Sequence, residues 1–207
     1  MRNYIAFTEK DLANSLNYTE YRYLMMKLVD NQSSSGENQS DEYINYTKLA
    51  WHRMSRIDDS IKLTDNIIDY LQALEMPMKW IVFTESWCGD AGQNIPYLSA
   101  MVDAAPNIEL LLLLRDENIE LMERYQTNGG NSIPKLVAVT EDLQTELFIW
   151  GPRPVRAQNI IIDWKIAAEP RPEKTEIYKD IQLWYMANKG ISLQQEVLEL
   201  MQNSLSV

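Results

Sequence analysis

The chain holds one cysteine, Cys88, in the stretch Trp87-Cys88-Gly89-Asp90-Ala91. An apolar run precedes it and a helical pattern follows. A thiol attacks only as a thiolate, and a free cysteine has a pKa of about 8.5. A helix N-terminus lowers that value, because it presents about half a positive charge and several unpaired N–H groups. Gly89 keeps the turn open to the approach of another chain. Glu85 and Asp90 act the other way, and no Lys or Arg is adjacent. The balance predicts a mild depression of the Cys88 pKa at most.

In a dithiol site the first thiol attacks a disulfide and the second releases the mixed product. Here the second position is Ala91. Release would need an external small thiol, or the adduct would persist as a trap, or Cys88 would go unused. Among the remaining candidates, Glu85 or Asp90 is either a proton shuttle or a solvated carboxylate. Trp87 is either a substrate platform or a core aromatic. Arg153 and Arg156 read as partners for surface carboxylates. The lone His52 has no Cys or second His nearby, whereas zinc takes about four such ligands. Neither a metal site nor a cofactor is expected.

These residues need elements to position them. Thr8-Glu9-Lys10-Asp11 looks like a capping box opening a helix, with Leu12, Leu16, Leu24 and Leu28 at helical spacing. The polar segment 31–41 reads as a loop, a mobile one on its composition. Helical patterns follow over about 41–56 and 58–74. From residue 79 the character changes. KWIVFT and IELLLLL read as buried strands around a helix carrying Pro96. DENIELMERYQTN reads as a helix ending at a Gly129-Gly130 cap. PKLVAVT and TELFIW form a hairpin, and helices follow at about 153–168, 173–188 and 190–203. Two crossovers and then a hairpin give an α/β fold with a mixed sheet flanked by helices. The domains expected are a helical N-terminal extension (1–76), a sheet domain (77–168) and C-terminal helices packing on it (169–207).

Order and motifs together resemble the thioredoxin superfamily, and most of all its bacterial members in which a helical extension precedes a W-C-G-D-C site. Trp87-Cys88-Gly89-Asp90-Ala91 matches that site except at its last residue. Ser132-Ile133-Pro134-Lys135 falls where the superfamily has its cis-proline. Trp150-Gly151-Pro152-Arg153 falls at the turn into the final helix. The resemblance implies Cys88 as nucleophile and Trp87 as its flanking aromatic. It also implies a cis Pro134 facing the thiol, Ile133 offering backbone groups to an extended substrate, and Gly89 among the substrate-binding residues. Partners would be proteins or low-molecular-weight thiols and disulfides.

Net charge is −11 with no basic patch, which argues against nucleic acid or an anionic membrane surface as partner. No apolar stretch is long enough to span a bilayer. The N-terminus has no signal-peptide core and one cysteine forms no internal disulfide, so a cytoplasmic location is expected. Two functions stand open. One is a single-thiol oxidoreductase with Cys88 as nucleophile and an external thiol as resolver. The other is a redox-inactive thioredoxin-fold binding module whose groove is lined by Trp87, Ile133 and Pro134, and this one requires an unreactive Cys88. A glutathione-transferase-like arrangement fits poorly, because there the helical block follows the thioredoxin half.

Overall fold

The computed structural model describes residues 6–205. At its centre is strand β1 (Met78–Thr84), parallel to β2 (Ile108–Leu114) and antiparallel to β3 (Lys135–Thr140). Strand β4 (Glu146–Trp150) pairs antiparallel with β3, so the order is β2-β1-β3-β4. Trp80, Ile81, Val82 and Phe83 are fully buried. A central strand covered on both faces explains why KWIVFT reads as a continuous apolar run rather than an alternating one. The mixed α/β fold is the one expected.

Three helices precede the sheet: α1 (Tyr18–Asp30), α2 (Asp41–Asp58) and α3 (Asp65–Ala73). The first begins later than the sequence suggests. Thr8 and Asp11 do make the reciprocal bonds of a capping box, but only turns follow them. The functioning box is Asn17 with Glu20, each side chain accepting from the other's backbone N–H at 2.9 Å. Leu16 cannot join a helix because its backbone exchanges two 2.8 Å hydrogen bonds with Leu112 on β2. Helix α3 also starts late. Gln194 accepts from the Thr64 N–H at 2.7 Å and donates to the Lys62 carbonyl at 3.2 Å, which holds that stretch extended.

Helix α4 (Ala91–Asp103) crosses from β1 to β2 and is buried along most of its length. It passes so close to α2 that a Cβ on Gly92 would lie 3.1 Å from Ala50 Cα. The helix expected over 116–128 is broken. A 3-10 turn (Arg115–Glu117) leads into the single-turn α5 (Ile119–Met122) and a second 3-10 turn ending at Tyr125. The Asn118 side chain donates to the Leu114 carbonyl at 2.8 Å, a local bond that competes with helix continuation. Tyr125 then stacks on Phe7 in the core, with centroids 5.7 Å apart. Gly129-Gly130 is not a helix cap. Asn128 and Gly129, with φ of 51° and 76°, form a two-residue hairpin turn closed by paired Thr127–Gly130 bonds.

After β4 come α6 (Val155–Ile166), α7 (Lys174–Asn188) and α8 (Ile191–Leu205). Helix α8 returns to the main core through Leu193, Val197 and Met201. Helices α6 and α7 instead pack on each other around Ile161, Ile177, Ile181 and Tyr185, a cluster separate from that core. Among the described residues no helix is long and apolar enough to cross a membrane.

Candidate functional site

The turn after β1 places Cys88 at the mouth of α4. The Cys88 N–H donates to the Glu85 carbonyl at 3.1 Å, and the Gly92 N–H donates to the Cys88 carbonyl at 3.0 Å. The Ile133-Pro134 bond is cis, and β3 begins directly after it. The Cys88 thiol donates to the Ile133 carbonyl at 3.3 Å, while the Ala91 N–H donates to the sulfur at 3.4 Å. Sequence-separated Cys88, Ala91, Ile133 and Pro134 therefore share one site. It is closed: Cys88 is 6% exposed and Ile133 5%. Behind it Gly151, at φ 107°, lies so near Pro134 that a Cβ would run into the proline carbonyl oxygen. Lys135, next in the chain, is also buried, and its ammonium donates to the Gly151 carbonyl at 3.1 Å.

The surroundings of the thiol favour its protonated form. Burial first, and the Asp90 carboxylate second, push the Cys88 pKa up to about 12, against the opposing pull of the Ala91 and Asp90 N–H groups and of Arg153. This corrects the expected mild depression: desolvation of a buried sulfur outweighs the helix-terminus effect.

Two carboxylates read as either proton shuttles or solvated groups are buried. Asp90 is 8% exposed and pairs with Arg153 at 2.6 Å. It also accepts from the Tyr185 hydroxyl at 3.0 Å. Arg153 therefore is no surface residue. It lies among Cys88, Asp90 and Tyr185, whose fields all favour its charge. Glu85 is fully buried. It accepts from the Ser35 hydroxyl and, at 2.8 Å, from the Asp116 N–H, and burial raises its pKa. Ser35 sits in the 31–41 loop. That loop's polar composition had suggested freedom, yet Ser34 and Ser35 are buried against Thr47 and Ser86.

Trp87, next to Cys88 in the chain, is half-buried. Its ring centroid is 5.0 Å from that of Tyr43, the Arg115 guanidinium lies 4.9 Å from it, and its indole N–H is buried with no acceptor. Gly89 leaves room for Arg53 from α2: a Cβ there would lie 2.8 Å from Arg53 Nη1. Sequence reading passed over Arg53, Tyr185 and Ser35 altogether. Arg153 had one usable signal, its place straight after the turn that faces Pro134.

A family model described as "Thioredoxin" matches residues 36–165, more than half the chain. The chain belongs to the thioredoxin family. The strand-to-helix turn carrying Cys88 meets the Ile133 carbonyl, just before the cis Ile133-Pro134 bond that leads into β3. Among solved structures, this thioredoxin-family chain is similar to a protein of unknown function from Pseudomonas aeruginosa. The two are 16% identical over 91% of this chain and 98% of that one, with a TM-score of 0.57. It is also similar to an HIV epitope scaffold, 17% identical over 91% and 99% of the two chains, with a TM-score of 0.54. At such identity the likeness is one of fold. No curated protein matches the sequence.

Proposed function

We propose that this thioredoxin-family chain is a redox-inactive binding module, in which the turn around Trp87 and Gly89 and the backbone beside Pro134 serve recognition rather than thiol chemistry. One observation carries the reading: the sulfur of Cys88 is enclosed and donates to the Ile133 carbonyl. Ala91 in the second position supports it further, because no internal thiol can release an adduct. The second reading, a single-thiol oxidoreductase with an external resolver, draws support from the Ala91 N–H and Arg153, which favour a thiolate.

The pH dependence of Cys88 alkylation by iodoacetamide, followed by intact mass against a small-thiol reference, tests this. Slow labelling with an apparent pKa above the reference is expected. Fast labelling with a pKa below it, together with a glutathione mixed disulfide at Cys88, would establish the oxidoreductase instead.

A further inference from the structure

The turn that carries the thiol is contacted by an element with a core of its own. Helices α6 and α7 share a private core of Ile161, Ile177, Ile181 and Tyr185, flanked by Ile160, Trp164 and Trp184. Where α7 meets the Cys88 turn and α4, the contacts described are polar. The Tyr185 hydroxyl donates to Asp90 at 3.0 Å and accepts from the Asn94 side chain at 2.9 Å. Gln93 donates to Gln182 at 2.8 Å. Water can replace such bonds at small net cost, whereas a seat of buried apolar surface would resist separation.

Positive-φ backbone bounds the pair at both ends. Gly151 at φ 107° and the prolines at 152 and 154 precede α6. Lys189 and Gly190, at φ 50° and 74°, stop α7 with two successive left-handed residues. Gly190 lies against the Tyr97 ring of α4, and beyond it α8 is anchored in the main core.

From this geometry we infer that α6 and α7 form a cover, latched over the Cys88 turn by Tyr185 and Gln182, that opens as one unit to admit a partner chain. The inference rests on the binding-module reading for what is admitted, and on the helix packing alone for the motion. Cooperative local opening of this kind is the expected behaviour of a unit with its own core and a polar seat. The latch is an autoinhibitory contact: while it is shut, the turn around Gly89 is engaged from within the chain.

The test is hydrogen exchange on the full chain, read beside Cys88 labelling at one fixed pH. Amides of 155–188 should exchange together and faster than those of β1 and α4. Tyr185→Phe keeps the ring and removes the latch hydroxyl. It should raise both the exchange of 155–188 and the Cys88 labelling rate about five- to tenfold, with β1 and α4 protection unchanged. Gln93→Ala, which breaks the other contact, should act in the same direction. Exchange of 155–188 at the rate of β1 and α4, or labelling unaltered in both variants, would overturn the cover. The ratio of variant to wild type at fixed pH reports the cover, and the pH profile reports the thiol, so the two proposals fail separately.

Discussion

Arg153 and Asp90 meet at 2.6 Å beside the Cys88 sulfur, joining the turn after β4 to the start of α4. Their side chains are 16% and 11% exposed, so neither charge is well solvated without the other. Arg153→Met should destabilise the fold by about 3 kcal/mol in urea unfolding, chiefly by leaving Asp90 buried without its ion-pair partner. Arg153 is also among the groups that hold the Cys88 pKa down, so the variant's alkylation profile should move to higher pH. An unchanged urea midpoint would show the pair to be idle.

Glu85 should give the fold a pH dependence opposite to that of a salt-bridged carboxylate. Burial raises its pKa above the ordinary 4.5, so the folded chain holds the proton more tightly than the unfolded one. Its contribution is complete below pH 4.5 and is lost as pH rises through the folded value. Glu85→Gln, which keeps an acceptor for the Asp116 N–H, should flatten this decline in urea midpoints measured from pH 4.5 upward. Asp58 and Glu196 are shifted the same way by burial, so the slope should shrink rather than vanish. A slope as steep as that of wild type would remove Glu85 from the account.

Gly151→Ala and Gly129→Ala form a matched pair. Both glycines have positive φ, at 107° and 76°. At Gly129 a Cβ meets nothing within 4 Å, so only the backbone preference is lost, about 1 kcal/mol. At Gly151 it meets the Pro134 carbonyl, which cannot swing aside as a side chain can. A loss of about 3 kcal/mol or more is expected there, read as the difference in thermal or urea unfolding. Equal losses would mean that the Gly151–Pro134 approach is slack.

What could be read from the sequence followed how local its cause was. The strands were legible because β1 and β2 carry unbroken apolar runs, and the hairpin because its turn is polar. The Cys88–Pro134 relationship came from motif order. The thiol's condition did not, because burial is set by chain segments far from residue 88 and no spacing encodes it. Arg153 and Asp90 look like ordinary surface charges until the fold places them together. Thr8–Asp11 shows the reverse failure: the local bonds form as read, yet the sheet edge takes the Leu16 backbone and no helix follows.

That edge contact bears on how the chain stays out of trouble with its own copies. Strand β2 is the outermost strand on its side and carries Leu110 to Leu114, an uncharged apolar stretch of the kind that recruits neighbouring strands into aggregates. Leu16 occupies backbone groups in the middle of it. The segment of residues 6–17, which a designer trimming to the first helix would discard, therefore covers part of a strand edge that would otherwise be open to pairing.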